Sequence, residues 1–294
     1  GAQTIDYDTP LATMQSVRGC VARCSFCAVR SFNGLGVRMH SSRRVLEEID
    51  LLYNKFGIRH VDFVDDDFTY DRERVMEITD SLIDRDYDFT WSIGNGVRLG
   101  SLDEEMLKNM EKSGCTYLSF GIESGDDEIL RQMKKPLTLE ILRDKVKLLD
   151  ICPKIYYRAN FITGYPGETK EQYINSMKKV IDYGFQRASV ADIRLLDGSV
   201  MAEDFYRKKF GLESRFRIIP SAYGEYDGMK VIEYEECIRK TNAMSSEDLL
   251  ELRLFNANFF LLYYIELGRP LLDFAQKKSI HPITLIAEIS DKIE

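Results

Sequence analysis

Between residues 11 and about 195, short runs rich in β-branched and aromatic residues alternate with stretches whose apolar positions recur at helical spacing. That alternation constrains the fold more than any other feature. Successive βα units with right-handed crossovers build a parallel sheet, and they exclude helical bundles and all-β sandwiches. The pattern predicts strands over 12–17, 60–64, 89–93, 117–122, 155–163 and 188–195, with helices between them over 42–56, 72–85, 101–114, 126–133, 139–149 and 169–184. Six strands are two fewer than a closed eight-fold barrel needs. The expectation is therefore an α/β chain forming a partial (β/α)6 TIM-like barrel over residues 4–200, open on one side. A mainly helical C-terminal extension is expected over 201–294.

Local signals support these bounds. Gly57 stops the 42–56 helix, and Ser101 with Glu104 and Thr169 with Gln172 read as capping boxes. Beyond residue 200 the alternation ends. A helical stretch over 199–210 precedes a turn-rich segment, 221–234, that carries Tyr223, Tyr226 and Tyr234. A long helix over 245–268 follows; Pro270 separates it from one over 271–278, and Pro282 opens a last one to about residue 289. This tail reads as a lid over the substrate. Its tyrosines either line the pocket and serve as hydrogen donors or merely pack the lid.

The formal charge of −8 argues against a broad nucleic-acid-binding face. No secretory apolar segment opens the chain, and the apolar run 259–265 is too short to span a bilayer. A cytoplasmic protein without nucleic-acid or membrane partners is expected. Gly1-Ala2 has the look of a cloning remnant, leaving open a larger parent protein.

Three cysteines, Cys20, Cys24 and Cys27, fall within eight residues just after the first strand. Neighbours this close seldom form a relaxed disulfide. Thiolates crowded on one loop repel each other unless a cation holds them, which points to a metal centre. Iron–sulfur clusters take such short spacings, usually with four thiolates. With three, one iron lacks a protein ligand. Zinc is the competing reading, and it would ask for a fourth ligand, for which His40 is the nearby candidate. Cys115, Cys152 and Cys237 are scattered and read as small buried hydrophobes.

The stretch Cys20-Val-Ala-Arg-Cys24-Ser-Phe26-Cys27 resembles the C-x3-C-x-aromatic-C signature of the radical S-adenosylmethionine (SAM) enzymes, with Phe26 in the aromatic slot. The resemblance implies a 4Fe–4S cluster on the three cysteines, with SAM chelating the open iron. It also implies an electron donor of flavodoxin or ferredoxin type and a small-molecule substrate. In such a barrel the strand ends make the site. The resemblance places the SAM amino group at Asp65-Asp66-Asp67-Phe68-Thr69, an acidic variant similar to that of the cobalamin-associated branch. Asp65 or Asp66 is expected to face the site, while Asp71 or Thr69 caps the next helix. In relatives the end of the fourth strand contacts the SAM ribose and methionine, which makes Glu123 and Ser124 candidates.

Alternation sends Arg158, Asn160 and Ile162 of the fifth strand to one face. An inward Arg158 needs a partner, either the SAM carboxylate or Glu123. Asn160, Ile162 and Gly164 resemble the G-x-I-x-G stretch that packs adenine, with Asn160 in place of the first glycine. Leu195-Leu196-Asp197-Gly198-Ser199 departs from the Pro-Gly-Thr common in relatives.

The implied chemistry is reductive cleavage of SAM to a 5′-deoxyadenosyl radical that abstracts hydrogen from substrate. Its outcome is either cobalamin-dependent methyl transfer or a cobalamin-independent dehydrogenation, epimerisation or isomerisation. No D-x-H-x-x-G stretch for cobalamin occurs in the chain, so cobalamin would be held by a domain absent from it. A zinc-binding structural or interaction protein is the alternative of another class.

Overall fold

The computed structural model describes residues 9–185 and 187–292. The expected start at Thr4 and the Gly1-Ala2 pair lie outside the described residues. A parallel six-stranded sheet forms the core. It contains β1 (Leu11–Met14), β4 (His60–Phe63), β5 (Thr90–Val97), β6 (Cys115–Glu123), β7 (Tyr156–Thr163) and β8 (Ala188–Asp192), in that spatial order. Helices α2 (Ser42–Phe56), α3 (Arg72–Arg85), α4 (Glu104–Lys112), α5 (Asp127–Gln132), α6 (Leu139–Leu149) and α7 (Lys170–Asp182) connect the strands. The result is the partial barrel expected: among the described residues no ladder joins β8 back to β1.

Alternation along the strands separates two chemistries. Val61, Phe63, Trp91, Ile93, Leu118, Phe120, Ala159 and Phe161 face the helices and belong to one buried core. Phe63, Phe68 and Trp91 pack there with ring centroids 4.8–5.8 Å apart, a spacing favourable for edge and tilted contacts. The intervening positions, His60, Asp62, Ser92, Ser119, Arg158 and Asn160, are outside that core and line the concave side. Helix α2 shows why its segment is helical. Ser41 caps its first turn, Val45, Leu46 and Ile49 are buried, and Gly57 takes a left-handed φ of 67° to end it.

Several local expectations are corrected. The first strand is broken: β1 ends at Met14, and β2 (Val17–Arg18) turns away to pair with the short β3 (Arg38–Met39) around the cysteine loop and α1 (Val29–Asn33). Ser101 is not an N-cap; Asp103 caps α4 by accepting from Met106 N, because Leu99–Ser101 forms its own 3₁₀ turn. Asp71, not Thr69, caps α3. The Thr169–Gln172 capping box is present on α7.

The C-terminal region is mostly helical, with α8 (Asp204–Phe210), α9 (Ser246–Phe259), α10 (Arg269–Lys277) and α11 (Pro282–Ser290). In place of the turn-rich segment stands an antiparallel hairpin, β9 (Glu213–Tyr226) and β10 (Met229–Lys240), turning at Asp227-Gly228, both with positive φ. Strand-length alternation was masked there by charged residues on a ribbon exposed along much of its length. Tyr223, Tyr226 and Tyr234 sit on that ribbon at 67–78% exposure, so they neither line the cysteine cavity nor pack a lid. Pro270 lies inside the first turn of α10 rather than before the helix, and a π-turn, Phe260–Tyr264, ends the long helix early. Among the described residues no helix is long and apolar enough to cross a membrane.

Candidate active site

The cysteine loop and the carboxyl ends of the strands meet at a cavity of about 430 Å³. Cys20, Cys24, Phe26 and Cys27 line it from the loop. Asp65, Asp66 and the Asn95–Arg98 stretch line it from β4 and β5, and Gly121, Glu123 and Asn160 from β6 and β7. The three thiols are half-buried, and none is in a disulfide among the described residues. Burial pushes the Cys24 thiol up to about 11, and burial also raises Cys20. Thiolates in this place need a cation, which fits soft-metal ligation.

Among the described residues no three His, Cys, Asp or Glu side chains converge closely enough to hold a single metal ion. A cluster of several irons spreads its thiolate ligands wider than the ~2.3 Å Zn–S bonds of one zinc allow. His40 is exposed and does not line the cavity.

The aspartate run does work the sequence reading did not assign to it: it clamps the backbone of the cysteine loop. Asp65 is buried and accepts from the Ser16 and Val17 backbone N–H groups and from Ser16 Oγ (2.6 Å). Arg74 reaches the same Ser16 Oγ at 2.7 Å. Asp66 accepts from Gly19 N and from Asn33 Nδ2, each at 2.6 Å. Asp67 pairs with Arg98 at 2.9 Å and accepts the Cys20 Sγ–H at 3.8 Å. Burial raises the carboxyls of Asp65 and Asp67 despite these donors.

Glu123 ends β6 with a φ of 70°, a left-handed conformation costly for a side-chain-bearing residue. A β-bulge between Gly121 and Glu123 turns its carboxylate to Lys135 Nζ at 3.0 Å. Burial works against the Lys135 ammonium, but Glu123 and the Cys24 sulfur outweigh it and hold its pKa above the ordinary value. Gly121 is what makes room: a Cβ there would overlap Glu123 Oε1 and press on Lys135 Nζ. The Arg158–Glu123 pair considered from sequence is thus replaced by Lys135–Glu123.

Other candidates fall elsewhere. Ser124 is buried and turned from the cavity, donating to Glu168 Oε1 at 3.1 Å and meeting Ser176 Oγ at 3.2 Å. Ile162 and Gly164 do not line the cavity; Gly164, at φ 83°, faces Leu249 of α9. Arg158 lies two residues before Asn160 and likewise does not line it. Arg98, Lys135 and Asn33 were not singled out from sequence. The one available signal was the polar Gly94-Asn95-Gly96 continuation of β5.

Glu168 carries a further consequence. Its carboxyl is fully buried, Oε2 has no hydrogen-bond partner among the described residues, and burial pushes it up to about 8. Between its ordinary value of 4.5 and about 8 the unfolded chain has lost this proton and the folded chain keeps it. Stability therefore falls as pH rises through that window, by up to ~1.4 kcal/mol per unit. Glu168→Gln, which mimics the neutral acid, is expected to raise Tm most near the upper end of the window and to flatten the slope. Parallel Tm-versus-pH curves for the two proteins would show instead that the folded carboxyl ionises normally.

Residues 14–180 match the family profile described as the Radical SAM superfamily. Among curated proteins the chain is 30% identical over 184 residues to an uncharacterized methyltransferase of Pyrococcus horikoshii, covering 62% of this chain and 39% of that protein. It is 29% identical over 256 residues to the cytidylyl-2-hydroxyethylphosphonate methyltransferase of Streptomyces wedmorensis, covering 82% and 47%. The chain thus spans less than half the length of these relatives. Similar solved folds include the radical SAM methyltransferase TsrM of Kitasatospora setae, at a TM-score of 0.60, 18% identity, and coverage of 73% and 42%. Another is the cobalamin-dependent SAM radical enzyme OxsB, at a TM-score of 0.61, 17% identity, and coverage of 96% and 46%.

Proposed function

Because the chain belongs to the radical SAM superfamily, we propose that Cys20, Cys24 and Cys27 hold a 4Fe–4S cluster and that SAM binds beside it in the 430 Å³ cavity. The family is one of enzymes; the cluster, the bound SAM, the substrate and the outcome of the reaction are all parts of the proposal. The observation that carries the reading is the convergence of three half-buried thiols with the polar ends of β4, β5, β6 and β7 on one cavity. A cluster held by Cys20, Cys24 and Cys27 would pass one electron from an external reductant to the SAM sulfonium, whose S–C5′ bond would break to methionine and a 5′-deoxyadenosyl radical able to take hydrogen from substrate.

The chain's own residues position and enclose. Asp65 and Asp66 fix the backbone of the loop that presents the sulfurs, and Asp67 holds Arg98 beside it. The Lys135–Glu123 pair sets a cation and an anion side by side at the cavity wall, matched to a ligand bearing both an ammonium and a carboxylate. Asn160, oriented by Ser189 Oγ at 2.6 Å, offers an amide to the nucleoside part. Methyl transfer is the outcome we favour, since the S. wedmorensis methyltransferase aligns over 82% of the chain, far beyond the barrel. A domain outside this chain would then supply any cobalamin.

Anaerobic reconstitution is expected to give about four irons and four sulfides per chain, with a brown absorbance and 5′-deoxyadenosine on reduction with SAM. A colourless protein retaining stoichiometric zinc after purification would overturn the reading in favour of a structural metal site.

A further inference from the structure

The concave face of the sheet is polar below the cysteine cavity, where a barrel interior is ordinarily filled by branched apolar side chains. Residues pair across strands there in layers: Asp62 beside Ser92, Ser92 beside Tyr117, Tyr117 beside Tyr156, and one step up Ser119 beside Arg158. Asn160 and Ser119 reach the cavity. Arg158, two residues earlier on the same face as Asn160, is about 6.6 Å further down the strand.

Two groups in this layer lack the partners their burial calls for. Arg158 is half-buried, yet no carboxylate lies within ion-pairing distance of it among the described residues. Its hydrogen bonds there are two long ones to Ser119 Oγ, at 3.3 and 3.4 Å, and that oxygen already accepts from Asn160 Nδ2 at 2.8 Å. The guanidinium stands over the Tyr117 ring at 5.3 Å. Tyr117 is only 4% exposed and stacks on Tyr156, and its hydroxyl makes no close hydrogen bond among the described residues, the Ser119 side chain being its polar neighbour. A buried hydroxyl left in this way costs free energy unless a ligand meets it. The opposite charge sits across the sheet: Asp62 on β4 accepts from Ser92 at 2.8 Å, near His60. The lumen is therefore negative on the β4 side and positive on the β7 side.

We propose that Arg158 and the Tyr117 hydroxyl form the receptor for an oxyanion of the substrate, a carboxylate or a phosphate-type group, lying below the cysteine cavity. A planar guanidinium fork matches either group bidentately, and the phenol adds a third donor. The proposal rests on the radical-enzyme reading only in calling the ligand a substrate; the anion site itself stands on the geometry. It assigns Arg158 to the substrate rather than to the SAM carboxylate, because Arg158, unlike its cross-strand partner Ser119 and unlike Asn160, does not line the cavity that the cysteines share.

The test uses inorganic phosphate and acetate as probes, titrated at constant ionic strength against the full chain before and after cluster reconstitution, with Tm and calorimetry as readouts. One or both anions are expected to raise Tm; phosphate alone identifies a phosphoryl-type substrate, acetate alone a carboxylate. Arg158→Gln is expected to weaken anion binding roughly ten- to a hundredfold, Arg158→Lys to restore part of it, and Tyr117→Phe to weaken it several-fold, all with SAM affinity unchanged. Circular dichroism and the anion-free Tm establish that each variant is folded. Absence of any anion effect on the unsubstituted chain, or its persistence in Arg158→Gln, overturns the proposal. So does a tenfold loss of SAM affinity in Arg158→Gln without loss of anion binding. Because anion binding is read without cluster or SAM, a chain that fails to assemble a cluster but binds the probes refutes only the radical chemistry.

Discussion

Cys24→Ala is expected to abolish cluster assembly and to reduce 5′-deoxyadenosine formation by at least about a thousandfold, while leaving the cluster-free chain folded. The physical reason lies in where the sulfur sits. Cys24 is in the middle of the loop, its thiol is pushed up to about 11 by burial, and Lys135 is the cation whose charge opposes that rise. The site therefore tolerates a neutral thiol and, on the proposed function, would gain a thiolate only on binding iron. Replacing it removes one of three ligands and little packing, so the stability of the cluster-free chain should change by no more than about 1 kcal/mol. Cys152→Ala is the control: Cys152 is fully buried and remote from the cavity, so its loss should cost stability by a cavity effect and leave iron content intact. Iron analysis of the two variants after identical reconstitution decides the matter. Equal iron in both would mean that the loop is not the ligand set.

The second large effect is expected at Gly96, in the β5 extension that the sequence reading stopped short of. Gly96 has a φ of 82°, and a Cβ there would overlap the carbonyl oxygen of Asp65 and crowd the Asp66 carbonyl carbon. The neighbour is backbone, at the point where β4 hands over to the aspartates that hold the cysteine loop, so nothing flexible can give way. Gly96→Ala should destabilise by about 3 kcal/mol or more, the sum of left-handed strain and a displaced strand end. Gly36 isolates the two terms. Its φ is 85°, yet a Cβ there meets nothing within 4 Å, so Gly36→Ala should cost only the conformational part, about 1–2 kcal/mol. Denaturant melts of both variants measure the difference; equal costs would show that the close approach to Asp65 is not maintained in solution.

What the sequence made legible followed periodicity and short-range chemistry. Helix α2 and helix α3 match their expected bounds because the apolar spacing and the stop at Gly57 agree with the ends that Ser41 and Asp71 cap in the structure. The cysteine triad and the acidic strand end were readable as a constellation because they are contiguous. The Lys135–Glu123 pair was not, since its partners come together only after a bulge and a left-handed residue reverse the chain end of β6. Ser124 misled for a related reason. After the bulge the strand's alternation no longer says which way a side chain points, and its hydroxyl goes to Glu168 instead of the cavity. The hairpin was missed because a largely exposed ribbon has no apolar face for period-two patterning to report.

That no ladder joins the eighth strand to the first among the described residues has a consequence for molecular size. A closed ring of strands admits only what fits through its mouth, whereas a sheet with a free seam accepts a long molecule sideways, reactive end inward and remainder trailing into solvent. The π-turn Phe260–Tyr264 packs against β8, the strand that borders that seam on one side. Under the proposed function, changes there are expected to alter how large a molecule is turned over, read as relative rates on substrates of graded length, with 5′-deoxyadenosine formation unchanged.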